Sequence, residues 1–394
     1  MKSLLIDKSP DRLMAALTGG PEAIFSQSAH LRYLEIPDPP VPPGWIGVKN
    51  SLSGVCGSDL HLIYLDLDLG VHPSALPGEK VTYLGHEVVG TVIESAPGSK
   101  LKPGQRVIRR MRVGGGSCLT HGLEPCSQCR EGHYNHCERT GLPDTVGGGF
   151  SDRFYSPEGG LLAIPDELSD DQAILVEPAA VSLRAALRCP PAGKQQVLVF
   201  GAGTIGFFVL QALRVICPEC RIVVVAQFDY QRDLALSFGA DEVWLAEEDL
   251  LEKTAAATGG RVYTGFGGNR TLVGGFDLVY DCVGNSGTLQ LSLRLARSRG
   301  SVVLMGASLK PLSLDLTPVW YNEVKLIGSV SHCRSLWQGE MAGDFDLAVR
   351  WMLEGKISTE GFITHRYGLD QYREAIAAAV NKEESKSVKV VFNF

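Results

Sequence analysis

The sequence predicts an α/β protein of two domains, a mostly antiparallel β domain followed by a doubly wound parallel sheet. Three observations carry this. A chain of 394 residues is too long for one ordinary core. Residues up to about 190 place short β-like runs between Gly- and Pro-rich loops. From Gln196 onward, short apolar runs bounded by glycine alternate with helical periodicity, as expected of a parallel sheet covered on both faces.

In the first part, Trp45–Lys49, Val88–Ile93, Arg106–Arg110 and Leu161–Ile164 read as strands. The period then changes. Ala173, Leu175, Val176, Ala179, Ala180, Leu183 and Leu187 mark helices leading out of the domain, and Cys189-Pro-Pro-Ala-Gly193 marks a boundary. Beyond it, Val197–Phe200, Ile222–Ala226, Glu242–Leu245, Asp277–Cys282 and Ser301–Met305 are expected strands, with helices at Thr204–Ile216, Arg232–Phe238 and Thr288–Arg297. The glycine-rich stretch Thr258 to Gly275 breaks this rhythm and reads as an inserted loop or hairpin. Asp344–Leu353 and Leu369–Val380 read as amphipathic helices before a last strand, Ser387–Phe392.

Composition excludes several roles. Hydrophobic residues at 44% and charged residues at 21% describe a globular chain. The formal net charge of −7, with no basic cluster, argues against nucleic acid as a partner. No apolar run reaches bilayer length; Gly206 to Ile216 is interrupted by Gln211 and Arg214. Lys2, Asp7, Lys8 and Asp11 around a very short apolar run do not form a secretory signal, so a cytoplasmic location is expected. Four of the ten cysteines fall between Cys118 and Cys137, and in a reducing compartment such clustering points to metal.

Gly201-Ala202-Gly203-Thr204-Ile205-Gly206 directly follows an expected strand and opens an expected helix. In that context Gly201 permits the turn, Gly203 lets the backbone approach a pyrophosphate, and Gly206 allows close helix–strand packing. Without a ligand the same residues would make only a tight turn. A carboxylate for the ribose hydroxyls is expected about 20 residues on, but Gln227 stands there. Arg232 could pair with a 2′-phosphate, whereas Asp229 could restore a preference for NAD, so NAD and NADP both stay open, with a lean to NAD.

Cys56-Gly57-Ser58-Asp59-Leu60-His61 and Gly85-His86-Glu87 supply a thiolate and an imidazole, the donors zinc prefers. Either Glu87 or Glu177, which precedes Pro178, completes a three-ligand set. Cys126-Ser-Gln-Cys129 with Cys137 has the short spacing of a closed structural zinc site, with Cys118 as the expected fourth ligand and His121 as the alternative. Cys189, Cys217, Cys220, Cys282 and Cys333 read as ordinary thiols. Trp320, Tyr321, His332, Tyr64 and Phe150 are candidates for a substrate pocket, or equally for core or interface.

At these residues the chain resembles the zinc-dependent alcohol dehydrogenases of the medium-chain dehydrogenase/reductase superfamily, including sorbitol-, threonine- and glucose-dehydrogenase-like members. The likeness also runs through Lys102-Pro-Gly-Gln-Arg-Val107, Phe238-Gly-Ala-Asp241 and Asp281-Cys-Val-Gly284. It implies a GroES-like catalytic domain over 1–190, completed by 335–394, and a Rossmann cofactor domain over 191–334. It also implies Cys56 and His86 as catalytic zinc ligands, Ser58 and His61 as a proton relay, and Val283 and Gly284 beside the cofactor. Two departures stand out: Leu123 occupies the place of the family's first lobe cysteine, and Gln227 that of its Asp. The implied reaction is reversible hydride transfer between a secondary alcohol or polyol- or sugar-type hydroxyl and NAD or NADP, at the domain cleft, in a homodimer or homotetramer. The rival expectations are a zinc-free quinone or enoyl reductase, an NAD-assisted epimerase or lyase, and a non-catalytic dinucleotide-binding module.

Overall fold

A computed structural model describes residues 1–68, 80–110, 115–139 and 141–394. Two compact units emerge, Met1–Glu177 with Thr359–Phe394, and Pro178–Ser358. The helix Val176–Arg188 therefore falls almost wholly in the second unit. There its buried Arg184 lies 3.8 Å from the buried Asp344 of the helix Asp344–Leu353. Gln211 closes the same unit, exchanging hydrogen bonds with the backbone N–H and carbonyl of Ser358.

The first unit is built on a seven-stranded sheet. Its path runs Ile363–Gly368, Lys389–Asn393, Ile46–Gly54, Glu87–Glu94, Arg106–Arg109 and Leu161–Ala163, with Arg153–Ser156 also paired to Ile46–Gly54. All pairings are antiparallel except that between Ile363–Gly368 and Lys389–Asn393. A smaller sheet places Lys2–Asp7 between Leu31–Glu35 and Val81–Tyr83. A core of Leu4, Ile63, Leu84, Phe150, Ile376 and Phe392 fills the space beneath. Phe150 meets Phe392 edge-to-face at 4.9 Å, a favourable quadrupole arrangement.

The second unit holds six parallel strands in the order Glu242–Leu245, Arg221–Ala226, Gln196–Phe200, Phe276–Asp281, Ala296–Leu304 and Lys325–Gly328. Numbered along the chain within the unit this is 3-2-1-4-5-6, the doubly wound Rossmann order. The strands read as continuous apolar runs because both faces are buried: Val197, Leu198 and Val199 are fully enclosed, as are Ile222, Val223 and Val224. The glycine-rich stretch resolves into a hairpin, Arg261–Thr264 against Arg270–Val273. Among the described residues no helix is long and apolar enough to cross a membrane.

Candidate metal and cofactor sites

Cys56 lies two residues past the strand Ile46–Gly54 and directly before the short helix Gly57–Ile63; Glu87 opens the strand Glu87–Glu94, with His86 just before it. Pairing of Ser53 with Val88 and Gly54 with Glu87 draws the two segments together. Gly85 is fixed by geometry: its φ is +80°, and a Cβ there would stand 2.5 Å from Phe150 Cδ1. The result is a group of three donor atoms, from Cys56, His86 and Glu87, all within 4.8 Å of one another. One thiolate, one imidazole and one carboxylate are a donor set that suits zinc with an exchangeable position.

A residue the motif reading left without a role ties this group together. The buried Asp59 accepts the backbone N–H of Cys56 through Oδ2 and that of Gly85 through Oδ1, both at 3.1 Å. Its Oδ1 also stands 3.6 Å from Nδ1 of His86. Burial pushes the Asp59 carboxyl up, but His86 and the two N–H donors outweigh it and hold the group below its ordinary range. Burial works the other way on His86, where Asp59 and Cys56 together lift the imidazole well above its usual value. A metal taking the other ring nitrogen would displace that proton.

Lys389 was also missed. It comes from the last strand, is buried, and forms a close ion pair with Glu87. Burial opposes its charge, but Glu87, Cys56 and Glu177 hold it above the ordinary lysine range. Glu177 stands outside the three-donor group yet within reach of its charges: burial and the neighbouring Glu87 carry its carboxyl to about 7, against the pull of His86 and Lys389. Ser58 and His61 lie three apart on one helix, hence on one face. His61 Nδ1 pairs at 3.0 Å with Asp66, and both side chains reach solvent.

The second cluster joins Cys118, Cys126, Cys129 and Cys137 within 4.8 Å. Cys118 Sγ lies 3.5 Å and Cys126 Sγ 3.9 Å from Cys137 Sγ. A tetrahedral ion with metal–sulfur bonds of about 2.3 Å has sulfur–sulfur edges of about 3.8 Å, so the set is already at zinc spacing. Cys126, which accepts the Glu138 N–H at 3.4 Å, is drawn down to about 6 chiefly by backbone donation from Glu138 and Cys129. Burial pushes Cys118 and Cys129 up. Leu123 stays out of the cluster because the chain turns back over 117–123, where its N–H bonds to the Cys118 carbonyl, so Cys118 supplies the fourth thiol. His121 bonds instead to the Pro143 carbonyl.

In the second unit the glycine turn lies between the strand Gln196–Phe200 and the helix Thr204–Ile216. A Cβ on Gly206 would collide with the Gly201 carbonyl, and one on Gly201 would stand 2.7 Å from Val283. Gly203 is different. Its backbone is extended and a Cβ would meet nothing within 4 Å, so no protein contact demands glycine there. A ligand approaching the helix N-terminus closely is what would demand it. The neighbouring turn at Val283 and Gly284 is held by Asp281, whose Oδ1 accepts both N–H groups at 3.0 and 2.9 Å. Gln227 is exposed. Arg232 donates to Asp229 at 3.2 Å and to the Val243 carbonyl at 3.0 Å.

Of the aromatic pocket candidates, Phe150 is core, and His332 is buried against the Phe345 ring at 4.3 Å. Trp320 and Tyr321 are exposed and pack on each other, while Tyr64 leans on the core of the first unit.

The alcohol dehydrogenase GroES-like domain matches residues 42–166, and the zinc-binding dehydrogenase family matches 204–348. The chain belongs to the zinc-binding medium-chain dehydrogenases. The dehydrogenase is 28% identical to L-idonate 5-dehydrogenase of Vitis vinifera, over 90% of this chain and 89% of that one. It is equally 28% identical to sorbitol dehydrogenase of Arabidopsis thaliana, over 90% of each. Among solved structures it is similar to 2R,3R-butanediol dehydrogenase from Bacillus subtilis, with TM-score 0.69, 26% identity and coverage of 92% and 96%. It also shares its fold with an alcohol dehydrogenase from Escherichia coli CFT073 complexed with NADH, with TM-score 0.72, 24% identity and coverage of 100% and 99%. The dehydrogenase is a zinc-dependent, NAD(P)-linked oxidoreductase for alcohol- or polyol-type substrates.

Proposed function

We propose that this dehydrogenase interconverts a secondary hydroxyl of a polyol or sugar-type substrate with the corresponding ketone, using NAD. The observation that carries the reading is the Cys56–His86–Glu87 donor group with Ser58 and His61 on the adjoining helix. The relatives named for idonate, sorbitol and butanediol support the substrate class. Cys56, His86 and Glu87 would hold a zinc ion, which when bound would supply a Lewis acid able to acidify a hydroxyl. Asp59 keeps the His86 ring in one orientation, and Lys389 balances the charge of Glu87. Glu177, whose carboxyl sits near 7, is the alternative carboxylate ligand beside Glu87. Ser58 receives the hydroxyl proton, and His61, oriented by Asp66, delivers it to solvent. Cys118, Cys126, Cys129 and Cys137 hold a structural zinc.

Gly201, Gly203, Thr204, Ile205 and Gly206 bind the pyrophosphate of the cofactor, with Val283 and Gly284 beside it and Gln227 at the ribose. Arg232 is engaged by Asp229 rather than open to a 2′-phosphate, which favours NAD. The edge strand Lys325–Gly328 has Leu326 exposed and pairs on one side only among the described strands, which suits a homodimer or homotetramer. Thiol-only metal binding suits the cytoplasm.

Oxidation of a panel of polyols, sugars, sugar acids and simple secondary alcohols with both cofactors is the test. We expect turnover of vicinal-diol substrates, at least about tenfold higher kcat/KM with NAD, and two zinc ions per chain by emission spectroscopy. Turnover restricted to quinones or enoyl thioesters, or full activity in Cys56→Ala, would overturn the reading.

A further inference from the structure

We propose that the first unit carries a second binding site, for a small phosphomonoester, in a surface cavity of about 490 Å³ walled by Arg12, Arg32 and Arg373. None of these residues belongs to the metal or cofactor sites. They come from three separate stretches: the helix Pro10–Thr18, the strand Leu31–Glu35 and the helix Tyr372–Val380. The fold thus gathers three guanidinium groups into one concavity of a chain whose net charge is −7. Its volume lies within the range of about 300–1,000 Å³ typical of small-molecule sites.

Solvated arginines on a surface are usually loose; these are held. Arg12 lies 3.1 Å from Asp7 and donates through Nη1 to the Gln27 and Ala29 carbonyls at 2.9 and 3.2 Å. Arg32 donates through Nη1 to the Gln27 carbonyl at 3.3 Å. Arg373 donates through Nη2 to the Phe25 carbonyl at 2.7 Å and through Nε to the Tyr372 hydroxyl at 3.3 Å. Its guanidinium also lies over the Phe25 and Tyr372 rings, at 5.5 and 5.8 Å. Among the described residues no carboxylate stands within 4.0 Å of Arg32 or Arg373. Glu22 and Glu374 act on Arg373 only from further away.

Asp7 offsets the charge of Arg12 and acts on Arg32 from further away, whereas the carbonyl anchors fix the planes of Arg32 and Arg373 without neutralising them. Among the described residues no acceptor takes the N–H groups of Nη2 of Arg12, Nε and Nη2 of Arg32 or Nη1 of Arg373, which leaves them to a ligand. Guanidinium groups with fixed planes match the three acceptor oxygens of a phosphate monoester and lose little further entropy on binding. Phe25, Tyr33 and Tyr372 add flat walls and two hydroxyls, which would contact the organic part of the ester.

Calorimetry on the zinc-loaded full chain, saturated with NAD to fill the pyrophosphate cradle, tests this with inorganic phosphate and phenyl phosphate as probes. We expect one saturable site for each, tighter for phenyl phosphate. Arg32→Gln and the double variant R32Q/R373Q should weaken both by at least about tenfold, while Cys56→Ala leaves them unchanged. Both arginines reach solvent, and unaltered Tm of Arg32→Gln checks that folding is intact. Absence of saturable binding, or wild-type binding in the double variant, would reject the site. Loss of binding in Cys56→Ala would place the anion at the metal site and reject it equally. The readout is independent of turnover, so failure of the proposed activity would leave this result standing.

Discussion

A histidine outside the metal sites shows how one buried ring sets a pH dependence. His30 is fully enclosed, with Nε2 2.9 Å from the carbonyl of Ile63 at the end of the Gly57–Ile63 helix. Burial depresses its pKa, although the carbonyls of Ile63 and Leu62 pull the other way. Between that depressed value and about 6.5 the unfolded chain binds more protons than the folded one. Stability from this group is therefore complete above about 6.5 and lost as pH falls through the window. Urea midpoints of wild type and His30→Gln should differ at pH 7 and converge toward pH 5; a gap independent of pH would contradict the assignment. Asp59 supports a second expectation. Because it holds His86 and two backbone N–H groups at once, Asp59→Asn keeps only one of the two backbone hydrogen bonds, turns an amide N–H toward the other donor and removes the charge behind the imidazole. Zinc affinity or kcat should fall about 10–100-fold and Tm should drop as well, since one buried N–H loses its acceptor at a cost of about 1–3 kcal/mol; an unchanged zinc titration would show that Asp59 is only structural.

The helix Thr204–Ile216 separates two uses of glycine within one fingerprint. Gly206→Ala drives a Cβ into the Gly201 carbonyl and should cost about 1–3 kcal/mol, read as a lower Tm. Gly203→Ala meets no protein atom, so stability should stay within about 0.5 kcal/mol while NAD(H) affinity falls at least about tenfold. Equal effects of the two on Tm, with cofactor affinity intact in Gly203→Ala, would remove the pyrophosphate from this turn. This element was legible because its signals are local: a buried strand writes a continuous apolar run, and the helix after it matches the expected Thr204–Ile216. Long-range pairings were not. Lys2–Asp7 becomes a strand by pairing with Leu31–Glu35, Lys2 opposite Glu35, and with Val81–Tyr83, and none of these segments announces a partner. Lys389 reaches Glu87 across most of the chain, a contact that no spacing rule reveals. Cys118, by contrast, was legible from spacing, and the turn over 117–123 explains why it serves where Leu123 stands.

For the whole molecule, each unit owns a core and a ligand class: the metal donors lie in Met1–Glu177 with Thr359–Phe394, and the fingerprint lies in Pro178–Ser358. Local stability follows such units rather than the chain average. The four-cysteine lobe is mostly loop and short turns, with its thiols forming a cluster of their own, so metal is its principal cross-link. The parallel sheet needs no metal, since its strands and helices bury one another. Cys137→Ser should therefore lose one zinc ion of two and raise amide exchange over 115–139. Exchange over the strands Gln196–Phe200 and Phe276–Asp281 should stay slow. NADH at about 100 times its Kd should still add roughly 2.7 kcal/mol to the second unit, because binding to the folded state alone stabilises by mass action. Hydrogen-exchange mass spectrometry resolves both effects in one experiment. If removing Cys137 accelerated exchange equally across 178–358, or abolished protection by NADH, the units would be one cooperative body and this division of labour would fail.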